Sequence, residues 1–167
     1  MPDTKNNLLN AFAEEAKNSQ KYLIYAEKAE NEGNIQVARL FRATAEAESI
    51  HAQSHLKATG IGGSTEQNLH DAINAEYEEF AAVYPPMIEK AKSDGDLKGE
   101  SSLQRAYLVE KAHHSLFKQA LATMKTSDGL NIKSVFVCRI CGNTVSGELT
   151  DACTVCGASK KFFFEIK

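Results

Sequence analysis

The chain has 167 residues, enough for one main domain with a small appendage, and its 43% hydrophobic content can supply a core. It holds 19 Lys and Arg against 22 Asp and Glu, a net charge of −3, and shows no basic stripe, which argues against a nucleic-acid partner. No apolar run approaches the roughly 20 residues that a membrane span needs. The opening "MPDTKNNLLNAFAEE" lacks a basic-then-apolar export pattern, so no membrane partner and a cytoplasmic location are expected.

In chain order, apolar residues at helical spacing predict a first helix from about Lys5 to Asn31, carried by Leu8, Leu9, Phe12, Ala16, Ala26 and Ala29. "NEGN" stops it and caps a second helix from about Ile35 to Lys57, with Val37, Leu40, Phe41, Ala45, Ala52 and Leu56 on one side. "TGIGGS" is a loop whose Ser64, or the following Thr65, can cap a third helix from about Glu66 to Lys92, bent or broken near Pro85-Pro86. "SDGDLKG" ends that helix, and a fourth spans roughly Glu100 to Lys125. "TSDGLNI" then links to a β-branched, aromatic and glycine-bearing tail too small for a core of its own, so metal has to hold it. The expected organisation is mainly α: a four-helix bundle over residues 1–130 and a small metal-bound β domain over 131–167.

The helical part repeats itself. "NLLNAFAEE" (Asn7 to Glu15) aligns with "NLHDAINAE" (Asn68 to Glu76) at an offset of 61, and Glu48-x-x-His51 repeats as Glu110-x-x-His113 at an offset of 62. Such self-similarity suggests two related helical hairpins. Glu and His three apart share a helix face, so one metal can see both. At about 1.5 Å rise per residue, Glu15 and Glu76 lie roughly 24 Å from their turns, Glu48 roughly 20 Å, and Glu110 with His113 roughly 15–20 Å. All can therefore meet at one level, the arrangement of di-iron carboxylate bundles: a Glu from each of two helices and a Glu-x-x-His from each of the others. Buried carboxylates are expensive unless neutralised, and two divalent cations bring four positive charges. Carboxylate and imidazole donors suit iron or manganese.

A lone Glu-x-x-His is ordinarily solvated decoration, but two copies, each with a repeat-matched Glu, are not readily coincidence. His51 and His55, one turn apart, could instead pair on zinc, which leaves the repeat unexplained. Glu14, Glu46 and Glu78 read as solvent-facing, His70 and His114 as surface residues. Glu79 follows Glu76 by three, where the first half has Asn18, and so adds a seventh carboxylate or imidazole donor.

All four cysteines fall in the tail as Cys138-Arg-Ile-Cys141-Gly and Cys153-Thr-Val-Cys156-Gly, two knuckles in which each glycine lets backbone amides turn toward sulfur. In a chain without an export signal this reads as a tetrahedral S₄ site for one iron or zinc ion, not a disulfide framework. Phe136 and Phe162 to Phe164 are expected to pack around it.

Over essentially its whole length the chain resembles the rubrerythrins. The resemblance rests on "AFAEEAKNSQKY", "ESIH", "EYEEFAAVYP" and "EKAH", followed by "CRICG…CTVCG", with the Glu-x-x-Glu of the third helix as the distinguishing feature. It implies a ferritin-like four-helix bundle with a C-terminal rubredoxin-like domain, a centre of two irons, and one iron on Cys138, Cys141, Cys153 and Cys156. In that frame Glu48 and Glu110 bridge the irons, Glu15 is terminal on the first, and Glu76 with His113 on the second. Glu79 and His51 exchange on the first iron as its oxidation state changes, and Tyr22 and Tyr84 hydrogen-bond ligand carboxylates. The implied activity is reduction of hydrogen peroxide to water, with electrons relayed one at a time through the Cys₄ iron from an external redox protein or NAD(P)H-linked reductase. Iron storage by a ferroxidase is the rival within the fold; a non-enzymatic sensor with a structural zinc ribbon is the rival outside it. Both knuckles depart from the family in having Arg139 and Thr154 where Pro is common. The loop near 58–66, about nine residues reaching about 30 Å when extended, is short for a crossover. A homodimer, domain-swapped or head-to-tail, is therefore expected.

Overall fold

The computed structural model describes residues 3–124 and 134–167. The expected boundary at 130/131 and its linker lie outside the described residues. By its internal packing the chain divides into two compact units, Met1–Gly62 and Gly63–Lys167.

The first unit is an antiparallel hairpin of α1 (Thr4–Asn31) and α2 (Ile35–Ala58). Asp3 caps α1 by accepting the Asn6 amide at 2.8 Å. The seam is alanine: Ala26 and Ala29 on α1, and Ala38, Ala45 and Ala52 on α2, are buried at seven-residue spacing on the second helix. Small side chains let the backbones approach closely enough for the buried Ser19 hydroxyl to donate to the Ala45 carbonyl at 2.9 Å. Val37 and Leu40, expected on the inner side of α2, are 46% and 67% exposed. The reason is that the alanine stripe, not the larger aliphatics, faces α1.

The second unit opens with α3 (Thr65–Glu78), started by a capping box in which Ser64 and Gln67 satisfy each other's backbone amides. A π-helical segment, Glu79–Val83, follows, then α4 (Tyr84–Asp94). The predicted break at Pro85-Pro86 is thus realised just upstream. Proline removes an amide and clashes with the preceding turn, and the chain widens there, Tyr84 N–H bonding back to the Glu79 carbonyl. Gly95, at φ 69°, closes α4 in the left-handed region. Then α5 (Leu97–Met124) packs along α3 and α4, with Ile88, Ala91 and Val109 buried.

The tail of this unit is a three-stranded antiparallel sheet in the order β2-β1-β3: β1 (Val135–Cys138), β2 (Thr144–Ser146) and β3 (Phe163–Ile166). Val135 pairs with Ser146 on one side and Ile166 on the other, and Cys138 pairs with Phe163. Phe136, Phe163 and Phe164 are half-buried as expected, whereas Phe162 is 37% exposed. The Arg139 guanidinium lies 4.3 Å from the centre of the Phe164 ring. The fold is mainly α with a small C-terminal β module, and β2 packs on α5.

Candidate metal centres

Each unit gathers three of the predicted donors. In the first, α1 presents Glu15 and α2 presents Glu48 and His51, whose Nδ1 lies 3.4 Å from Glu48 and 3.9 Å from Glu15. In the second, α3 presents Glu76 and α5 presents Glu110 and His113, whose Nδ1 lies 2.8 Å from Glu110 and 3.8 Å from Glu76. In both sets one donor atom per residue lies within 4.8 Å of the others. The correspondence is residue for residue across the sequence repeat.

Each triad sets two carboxyls side by side, and Glu15 and Glu76 carry the effect. Glu15 is held above the usual carboxylate range first by a hydrogen bond shared with Glu48, then by burial. Glu76 is pushed up to about 7, by burial first and then by the hydrogen bond and charge of Glu110. A bound dication reverses this preference, because it requires the carboxylates ionised and offsets their repulsion. The donor set of carboxylates and imidazole Nδ1 atoms fits iron or manganese, with no thiolate present.

Glu79 stands at the first position of the π segment and outside the triad. Its carboxyl is also raised, by burial and then by the charge of Glu110. The Tyr84 hydroxyl is raised by burial and by the fields of Glu79, Glu110 and Glu76, so it belongs to the same cluster. Tyr22 is half-buried, its ring packed against Tyr25 and Phe41. Glu14, Glu46, Glu78 and His70 are exposed, as read from the sequence. His114 is not a surface residue: it is half-buried, donates through Nδ1 to the Ile73 carbonyl at 3.0 Å, and packs on Tyr77 and Phe80. A histidine following His113, which faces Glu76 and Glu110, is turned by the helix the other way, where Tyr77 and Phe80 receive it.

The four sulfurs converge in the β module. Cys138 and Cys156 sulfurs are 3.8 Å apart, and Cys141 and Cys153 sulfurs 3.7 Å. A tetrahedron with metal–sulfur bonds of about 2.3 Å has an edge of about 3.8 Å, so the spacing fits one ion. Gly142 (φ 79°) and Gly157 (φ 73°) turn the two knuckles, each amide donating to the carbonyl of the first cysteine at 2.9 Å. Burial opposes the Cys153 thiolate, yet the amides of Cys156 and Val155 outweigh it and bring the group down to about 7. Burial raises Cys141 and Cys156. Two contributors went unread in the sequence. Asn143 is buried and directs its amide at the Cys153 sulfur at 3.6 Å, and Thr144 touches His113. An Asn two residues after a cysteine carries no signal by itself.

The Rubrerythrin family model matches residues 6–121. Rubrerythrin-2 of Clostridium acetobutylicum is 33% identical, the alignment covering 96% of this chain and 95% of the relative. Nigerythrin of Nitratidesulfovibrio vulgaris is 32% identical over 96% of this chain and 85% of that protein. Among solved structures, partially reduced nigerythrin superposes with a TM-score of 0.60 at 30% identity, covering 99% of this chain and 88% of that one. Two repeat-related Glu/Glu/His triads and a Cys₄ module, in a chain matched nearly end to end by such relatives, place this protein in the rubrerythrin family of metal-binding oxidoreductases.

Proposed function

We propose that the protein is a non-haem di-iron peroxidase, reducing hydrogen peroxide to water with electrons relayed through an iron on the four cysteines. The observation that carries the reading is the pair of triads, each with its histidine Nδ1 turned toward two carboxylates. An all-ferrous state has been obtained for nigerythrin, which bears iron on a similar frame. Bound iron would supply the redox chemistry, in which hydrogen peroxide takes up two electrons and two protons to give two waters, and Cys138, Cys141, Cys153 and Cys156 would hold an iron that relays those electrons from an external redox protein or reductase.

The chain's own residues do the rest. Of the four triad carboxylates, Glu48 and Glu110 are the least exposed, at 17% and 15%, and would hold the ions most closely. Glu79, on the π segment and outside the triad, is the carboxyl placed to pass a proton. His51, 58% exposed, is the least confined of the triad donors, and Glu79 stands outside the triads, so these two are the pair that would exchange as ligands. The Tyr84 hydroxyl, which feels the charges of Glu79, Glu110 and Glu76, would orient a carboxylate of that cluster.

The complete centre is proposed to require two copies. A ferritin-like bundle uses one long crossover. From Glu48 to the end of α2 is about 15 Å, and from the start of α3 to Glu76 about 17 Å, so the crossover spans about 32 Å. The connection Thr59–Ser64 reaches about 25 Å fully extended. Exchange of hairpins between two chains removes the shortfall. It also gives cover to large apolar side chains such as Leu40, Ile50 and Leu97, which are 67%, 59% and 77% exposed.

The test is optical stopped-flow on anaerobically prepared iron protein. The red Cys₄-ferric chromophore should bleach with reductant and recolour on addition of hydrogen peroxide. A colourless, zinc-filled tail without peroxide turnover would instead identify a structural ribbon.

A further inference from the structure

Thr144 belongs to the cysteine module, three residues after Cys141, yet its hydroxyl oxygen lies 3.0 Å from Nε2 of His113 on α5. The same hydroxyl donates its proton to the Gly142 carbonyl at 3.2 Å. A threonine hydroxyl has one proton. With that proton committed to Gly142, the oxygen can only accept from His113, so the imidazole carries its hydrogen on Nε2. Nδ1 is then the nitrogen left for the triad: it faces Glu110 at 2.8 Å, sharing a proton with that carboxyl where a metal ion would otherwise sit, and Glu76 at 3.8 Å. His51 in the other triad, 58% exposed, has no such partner among the hydrogen bonds of the described residues. The two otherwise equivalent histidines therefore differ in how firmly they are held.

From this geometry we infer that Thr144 is a positioning residue: it fixes His113 with its hydrogen on Nε2 and with Nδ1 turned toward Glu76 and Glu110, where it would ligate an ion, and so couples the cysteine module to the second triad. The inference rests on the reading of the triads as iron sites. Partners of this kind orient a ligating histidine and raise its basicity, and losing one lowers metal affinity by roughly 10- to 100-fold. The coupling lies within one chain: β2, which carries Thr144, starts just after the knuckle that holds Cys141 and Gly142, and packs on α5.

The experiment compares wild type with T144V, which keeps the shape and removes the hydroxyl, and with T144S, which restores it. Each is prepared as full-length iron protein and reduced. Proton NMR of the reduced centre reads the solvent exchange of the His113 Nε2 hydrogen, and a colorimetric chelator reads iron loss. The expected result is slow exchange in wild type and T144S, fast exchange in T144V, and chelator removal of iron faster by about 10- to 100-fold in T144V. The Cys₄ absorption should be the same in all three. Unchanged exchange and iron retention in T144V would overturn the inference while leaving the iron reading intact. Loss of the Cys₄ absorption in T144V would overturn it too, by making Thr144 a residue the module needs to fold. Wild-type protein without triad-bound iron would remove both readings together.

Discussion

At the residue scale, Glu76 shows how the triads store their preference for a cation. Burial and the proton shared with Glu110 lift its carboxyl to about 7, above the 4.5 of a free side chain. Without metal the folded state therefore keeps a proton that the unfolded chain releases. Its contribution to stability is fully present below about pH 4.5 and declines as pH rises toward about 7. Denaturant titrations of protein with empty triads should show this loss across that window, and no pH dependence there would contradict the assigned environment. Metal binding has the opposite slope, because the ion displaces the proton, so manganese affinity should climb with pH and level off above about 7. Glu79 makes a separate test. Glu79→Ala should leave both triads filled, by metal analysis, while slowing peroxide turnover by about 10²- to 10⁴-fold. Unchanged turnover would remove Glu79 from the mechanism. Six of the seven carboxylate and imidazole donors were legible because the repeat marks them twice. Thr144 was not, since its contact with His113 links positions 31 residues apart through tertiary packing.

Among the elements, the alanine seam of α1 and α2 sets the distance at which Glu15 can meet Glu48. Ala45→Leu, at a position 2% exposed, should push the helices apart and destabilise the hairpin by about 1–3 kcal/mol. The same variant should weaken metal binding at the first triad, and thermal melts with metal titrations check both effects. Helix limits were readable because caps and glycines announce them: Ser64 with Gln67 opens α3, and Gly95 closes α4. The π segment was harder to foresee. Pro85-Pro86 signals that a helix is disturbed, but the widening falls at Glu79–Val83, where the backbone has residues free to shift its hydrogen bonding. The identity of the seam was also hidden, because spacing favours Val37 and Leu40 as readily as the alanines, and only close approach tells them apart. The cysteine module was the most legible element, since two knuckles at that spacing have few other uses.

At the scale of the whole molecule, the proposed exchange of hairpins gives a sharp complementation test. Glu48→Ala disables the first triad and Glu110→Ala the second, and each variant alone should be inactive. In a swapped dimer of one of each, one of the two sites draws both triads from undamaged units. A mixture refolded from equal parts should then recover about a quarter of wild-type activity. An unswapped protein recovers nothing, because every site keeps one damaged triad. The family, the two classes of metal site and the mainly α fold all bear on this level, yet the number of chains per site follows from loop reach, not from any motif.

The central claim is that the two triads together hold a pair of iron ions. Mössbauer spectroscopy of anaerobically purified, iron-57-enriched protein tests it most directly. The account predicts two populations of iron in a ratio of about two to one: a coupled pair with oxygen and nitrogen donors, and a single tetrahedral sulfur site. A spectrum containing only the sulfur-bound ion, in protein with Glu15, Glu48, Glu76 and Glu110 intact, would contradict it.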